Sequence, residues 1–531
     1  MSTVGTRPAE PLMLPGPVAT PEDASGEART KDRVARVQAS AVWGLEAALI
    51  SVEADVANGL PTFAIVGLPD TAVSEARERV RAAIRNSGFE FPLRRVVVNL
   101  APAERRKEGT GFDLAIALAI LRATDQLRTD VEGLCVGELS LDGTLRPVRG
   151  VMLRVLHARE HGIDRALLPP ANAPEAAALG VEATPLETLR AAVDHIDGRV
   201  RVANAPAPPL GGDPVWDVDL ADIAGQATPK RALEIAAAGG HNLLLVGPPG
   251  IGKTMLARAL PSIMPPLDPD EVLRVSAIHG VAGLTQPERP LLTARPFRSP
   301  HHTASPLALV GGGVPPRPGE VSLAHGGVLF LDEIAEFPAR VLETLREPLE
   351  EGAVTISRAG SSATYPARFT LIAAQNPCPC GRAGDPDARC DCLPDAVARY
   401  RARVSGPLLD RIDMRVAVPR VPFAELRDGG SRESSSAVRA RVIEARERMR
   451  ARFRESRRRC NAEMTKREVE RYCAVDPATE NVLMGAVTSR RMSARGVHRV
   501  LRVGRTLADL AGAERIAREH ISLALLLRGQ S

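Results

Sequence analysis

Gly247-Pro248-Pro249-Gly250-Ile251-Gly252-Lys253-Thr254 decides how this chain is read. Its glycines, lysine and threonine have the spacing of a loop that wraps phosphate. The apolar run Leu243-Leu244-Leu245-Val246 before it has the length of a buried parallel strand, and Met255 to Leu260 after it reads as helix. That strand–loop–helix context separates the motif from a Gly/Pro-rich turn that merely ends in Lys-Thr. The glycines let backbone N–H groups face phosphate oxygens, and the helix start adds its positive end. All eight residues are therefore candidate nucleotide contacts. Lys253 is expected to reach the β- and γ-phosphates and Thr254 to hold Mg²⁺.

Downstream, Val328-Leu329-Phe330-Leu331 is a second apolar run, followed by Asp332 and Glu333. Asp332 is placed to bind Mg²⁺, and Glu333 to orient and deprotonate a water. Phosphoryl transfer asks a protein for little beyond positioning and charge stabilisation, so these groups with Lys253 suffice. A third run, Phe369 to Ala374, leads into Gln375-Asn376, where an amide has access to the γ-phosphate or the water; the alternative for Asn376 is turn chemistry before Pro377. From 218 to 420 short apolar runs alternate with helical patterns, which predicts a parallel α/β sheet. From 421 to 531 the pattern is helical. Val438, Val442, Ala445, Met449 and Phe453 form one core-facing stripe, and a serine among Ser434 to Ser436 caps its start.

Upstream, residues 201–217 are a Pro/Gly-rich linker and 33–200 a mixed α/β unit. In that unit Ala72 to Asn86 reads as a helix capped by Thr71, and Val96 to Leu100 as a strand. Residues 1–32, rich in Pro, Ala and Glu, are expected to be a disordered tail without the apolar core of a signal peptide. No run approaches the ~18 apolar residues of a membrane span, so no membrane partner and a cytoplasmic location are expected.

The 531 residues carry a formal net charge of +5, which permits nucleic-acid binding without arguing strongly for it. Only Lys31, Lys107, Lys230, Lys253 and Lys466 are lysines; every other basic position is arginine. That bias lowers the weight of any arginine cluster and raises that of Lys253. The seven cysteines do not suggest a disulfide framework in a long cytoplasmic chain. Four of them form Cys378-Pro379-Cys380 and Cys390-Asp391-Cys392. They read either as thiolates that clip a structural zinc ion or as reduced thiols in a turn-rich insertion.

The phosphate loop, the acidic pair and Asn376 together resemble the AAA+ ATPases. Asp222-Ile223-Ala224-Gly225-Gln226 looks like that family's adenine-side segment, with Ile223 and Gln226 as contacts. Asn376 matches sensor 1. Ser405-Gly406-Pro407-Leu408-Leu409-Asp410-Arg411-Ile412-Asp413 resembles the segment that carries the arginine finger in the magnesium-chelatase and MCM branch, with Arg411 as the finger; the alternative for Arg411, as for Arg495, is a surface or salt-bridge residue. Arg495, in Ser493-Ala494-Arg495-Gly496, matches sensor 2. An arginine finger serves a neighbour's nucleotide, so the resemblance implies a ring, usually of six copies; such a residue is worth ~10³-fold or more in turnover. The stretch from Arg295 to Ser305, with Leu309 to Gly313 and Pro316 to Glu320, resembles the helix-2 insert of the same branch. Its paired His301 and His302 lack clear further ligands, which favours a loop role over a metal. Glu351 to Arg368 looks like the pore-facing hairpin, with Arg358 near its tip available to phosphate.

Gly59 to Val73, Asn86 to Pro92, Asn99 to Ala103 and Gly137 to Gly143 sharpen this resemblance to the ComM/YifB family, from about residue 33 onward. The resemblance implies an AAA+ parallel-sheet domain with a helical lid. Before it stands a mixed α/β Lon-protease-like (ribosomal S5 domain 2-like) domain. The Ser–Lys dyad of Lon-type proteases is not expected. The matching segment, Lys107 to Asp113, has no serine, and no lysine lies between Lys107 and Lys230. The function implied is an ATP- and Mg²⁺-dependent hexameric motor on DNA, with helicase or branch-migration activity in recombination of transforming DNA. A magnesium-chelatase-type motor that remodels a protein partner, and a nucleotide-controlled scaffold, remain open beside it.

Overall fold

The computed structural model describes residues 34–208, 216–358, 361–384, 389–422, 425, 432–456, 458–490 and 492–529. The expected tail of residues 1–32, part of the linker and the hairpin tip at Ala359-Gly360 lie outside the described residues, as does the side chain of Arg358.

The N-terminal unit is built on a seven-stranded mixed sheet. In spatial order its strands are Thr62–Val66, Arg95–Ala101, Glu46–Ala57, Val34–Trp43, Leu134–Cys135, Arg165–Leu168 and Glu182–Pro185. The long central hairpin pairs Val34 with Asp55 through Trp43 with Glu46. Helix Thr71–Asn86 lays Val73, Ala76, Val80, Ala83 and Ile84 into the core. Its cap is Asp70 rather than Thr71. Asp70 keeps an extended backbone and accepts the Val73 N–H at 2.7 Å, which leaves Thr71 as the first helical residue. Helix Asp113–Ala123 is buried from Asp113 to Leu121. Burial raises the Asp113 pKa, and the Arg79 guanidinium at 2.8 Å opposes that shift. Lys107 is also buried, and its amine donates to the Pro102 carbonyl.

The second sheet has five parallel strands in the order Phe297–Arg298, Val328–Leu331, Thr370–Gln375, Leu243–Val246, Met414–Ala417. The inner strands are apolar on both faces, as a parallel sheet covered by helices requires. Register positions the chemistry. Val246 pairs with Gln375, and Leu331 pairs with Ala373. The loop that starts at Gly247, the carboxylates after Leu331 and Asn376 therefore leave the sheet side by side at the carboxyl ends of its inner strands, where α/β sheets bind ligands.

Helix Ser435–Arg452 packs on Ala227–Gly239 and Lys253–Ile263. Ser434 caps it, and Val438, Val442, Ala445 and Met449 are buried along it. Helix Ala494–Leu510 packs on the same assembly. The two units meet at named points. The Gly150 N–H donates to the Gly280 carbonyl at 3.3 Å. Gly44, at φ +61°, lies so close to the hairpin that a Cβ there would stand 2.7 Å from that of Ala363. Among the described residues no helix is long and apolar enough to cross a membrane.

Candidate nucleotide site and cysteine cluster

The phosphate loop is open where phosphate belongs. Gly250 and Gly252 have φ of +77° and +92°, and a Cβ at either would meet nothing within 4 Å. They thus leave free space above a left-handed backbone. The Lys253 amine donates to the carbonyls of Gly247 and Pro248 at 2.7 Å each, and to the Asn376 side-chain oxygen at 3.1 Å. Burial lowers its pKa, while Asp332 and Glu333 act in the opposite sense. The Thr254 hydroxyl donates to one Asp332 oxygen at 2.9 Å, and the Glu333 N–H to the other at 3.0 Å. Glu333 itself has φ +50°, which turns the chain sharply at the end of its strand. These groups enclose a cavity of about 210 Å³ with Pro249, Met255, Ala374 and Gln375 also on its walls. The glycine cradle, the buried amine, and the hydroxyl–carboxylate pair fit a triphosphate with Mg²⁺. Lys253 and the loop amides would hold phosphate; Thr254 and Asp332 would hold the ion.

The remaining sequence-predicted residues are not in that cavity. Ile223 is buried in the core cluster. Gln226 is left-handed at φ +57°; its amide nitrogen donates to the Pro419 carbonyl at 2.7 Å, and its amide oxygen is buried without a partner. Arg411 sits at the opposite end of the Leu243–Val246 strand from the phosphate loop. Its carbonyl accepts from the Asn242 side chain at 2.9 Å, just before Leu243, whereas the phosphate loop comes after Val246. Its guanidinium bonds the Pro407 carbonyl at 2.6 Å and the Glu350 carboxylate, with Nε buried and unpartnered. Arg495 is exposed on the first turn of its helix and lines no part of the cavity. The rings of His301 and His302 lie 4.1 Å apart, tilted by 34°, and His301 bonds Thr303 at 2.8 Å. Neither histidine joins a metal-ligand group among the described residues. The hairpin base, Ala353–Arg358 paired with Ser361–Pro366, is anchored by buried Tyr365, whose hydroxyl donates to the Pro316 carbonyl at 2.8 Å.

Cys378, Cys380, Cys390 and Cys392 converge, with all four sulfurs within 4.8 Å of one another. Sequence reasoning missed Glu350 as the partner of Arg411 and Gly381 as a neighbour of the phosphate loop. No local pattern marks either, because both contacts join distant segments.

A five-stranded parallel sheet with a phosphate loop, an acidic pair and an amide at the carboxyl ends of its inner strands, beside packed helices, defines an AAA+ nucleotide-binding protein. Family models agree along the chain. Magnesium chelatase subunit ChlI matches residues 219–426, its C-terminal region residues 432–528, and a further ChlI model residues 52–172. Uncharacterized protein YifB of Salmonella typhimurium is 43% identical over 502 residues, 93% of this chain and 97% of the relative. Competence protein ComM of Haemophilus influenzae is 42% identical over 510 residues, again 93% and 97%. The magnesium-chelatase 38 kDa subunit of Rhodobacter capsulatus is 25% identical over 324 residues, 56% of this chain and 83% of the relative. The chain belongs to the ComM/YifB family of magnesium-chelatase-like AAA+ ATPases.

Proposed function

We propose that this chain is the protomer of a hexameric, cytoplasmic, ATP-driven motor that acts on DNA, with helicase or branch-migration activity in recombination of transforming DNA. The observation that carries the motor reading is the placement of Arg411. It stands at the end of the Leu243–Val246 strand opposite its own phosphate loop, so it suits a neighbour's nucleotide rather than its own. Within one protomer Lys253 draws negative charge into the cavity, Thr254 and Asp332 orient the metal side, and Glu333 accepts a proton from water. Asn376 fixes the Lys253 amine. Arg495, from its exposed helix start, is the sensor 2 candidate, and Ile223 and Gln226 flank the base.

The DNA reading is supported by the name of the ComM relative, a competence protein, and by the anchored hairpin base. The zinc reading of the four cysteines belongs to the same proposal: an all-sulfur donor set suits a structural zinc ion. A second reading is favoured by the likeness to the magnesium-chelatase subunit: a motor that remodels a protein partner. Strand displacement on forked and branched DNA separates the two. ATP-dependent displacement by the wild type, lost in Lys253→Ala, supports the DNA motor. ATP hydrolysis without displacement or DNA stimulation supports the second reading.

A further inference from the structure

The phosphate loop leans on the cysteine turn. Gly381, at φ +77°, packs against Pro249 so closely that a Cβ on it would stand 2.6 Å from the proline Cδ. The Gly381 N–H donates to the Cys378 carbonyl at 2.9 Å. The turn that touches the phosphate loop thus runs from Cys378 to Gly381 and contains the first two cysteines. It begins two residues after Asn376, whose side chain holds Lys253.

The sulfurs have the spacing of a metal site. Cys378 and Cys380 lie 3.4 Å apart, and each is 3.6 Å from Cys390. Zinc–sulfur bonds of about 2.3 Å put tetrahedral ligands about 3.8 Å apart. A disulfide needs about 2.0 Å, and all four thiols are free. The Ala383 N–H points at the Cys378 sulfur at 3.2 Å, the kind of outer support that steadies a thiolate ligand. Beside it, Arg401 reaches the Pro377 carbonyl at 3.4 and 3.5 Å.

We propose that zinc held by these four thiolates braces the phosphate loop through the Gly381–Pro249 contact, so that metal occupancy sets nucleotide affinity. The inference rests on the zinc reading and adds a regulatory role to it. A loop held in its binding conformation loses less freedom when nucleotide arrives. Release of the metal frees Gly381 from Pro249, and the phosphate loop loses a wall.

The test measures metal content by mass spectrometry and affinity for a fluorescent ATP analogue, both on the full chain under reducing conditions. The wild type is expected to carry one zinc per chain. Chelation and the double change Cys390→Ser with Cys392→Ser are expected to remove it and weaken nucleotide binding about tenfold. Zinc returned to the chelated wild type restores affinity, which separates a freed loop from an unfolded one even where the double variant does not fold. Gly381→Ala keeps every thiol, so it should keep zinc and still weaken binding by collision with Pro249. In Pro249→Ala, chelation should change affinity less than about twofold. Zinc-free protein that binds nucleotide like the wild type overturns the bracing and leaves the zinc reading standing. Wild-type protein without zinc overturns both.

Discussion

The Lys253 amine lies 3.1 Å from the side-chain oxygen of Asn376, across two adjacent parallel strands. The amide thus fixes where the positive charge stands before nucleotide arrives. Asn376→Ala should lower kcat on the order of tenfold with a smaller change in ATP affinity, because positioning matters most in the transition state. Steady-state hydrolysis with a separate binding titration checks this. An unchanged kcat would leave Asn376 with turn chemistry alone.

Glu333 succeeds Asp332 in a left-handed backbone, and its N–H donates to the Asp332 carboxylate; the proposed mechanism gives the two carboxylates different tasks. Glu333→Gln keeps the shape and removes the proposed base. Turnover should fall on the order of 10²–10⁴-fold while ATP binding persists. Turnover near the wild-type rate would remove Glu333 from that role.

Arg411 and Glu333 are predicted to act on one nucleotide from two different copies. Arg411→Ala alone and Glu333→Gln alone should both be nearly inactive. Mixed in equal amounts, they should regain about a quarter of the wild-type sites, since some seams pair an intact Glu333 with an intact Arg411. A mixture as inactive as its parts would place Arg411 in a structural role, held by Glu350.

Glu175 lines a cavity of about 280 Å³ between the two units, with Arg149 and Asn172 on its own side and Gly280, Gly283 and Thr285 opposite. It accepts the Met152 N–H at 3.0 Å, and burial pushes its pKa up to about 7. The folded state therefore holds a proton that the unfolded chain releases nearer its usual carboxylate value. This contribution to stability is full below about pH 4.5 and is lost as pH rises through about 7. Native-state hydrogen exchange over residues 148–176 should show protection that falls from pH 5 to 8, by on the order of 1–3 kcal/mol. Glu175→Gln should flatten that dependence; an equal slope in the variant would contradict it.

The nucleotide site is legible in the sequence because its signals are local. Gly247 to Thr254, the run before Asp332 and the run before Asn376 each mark a strand together with the polar residues at its end, and parallel register brings those ends together. The stripe from Val438 to Phe453 is equally direct, since helical spacing alone places it inward. The cap at Asp70 lies one residue before the expected Thr71 because Asp and Thr are both good caps and only the extended backbone at Asp70 decides. Arg411 with Glu350, Gly381 with Pro249, and Glu175 under Gly280 are invisible to pattern. Each joins segments far apart in sequence, and no periodicity encodes such a meeting.

The most direct measurement is ATP hydrolysis with and without DNA, at low and high salt, for the wild type and Lys253→Ala. A DNA motor requires hydrolysis by the wild type that DNA raises severalfold, stimulation that fades as salt screens phosphate contacts, and no hydrolysis by Lys253→Ala. Hydrolysis that DNA leaves unchanged at every salt concentration would contradict that reading.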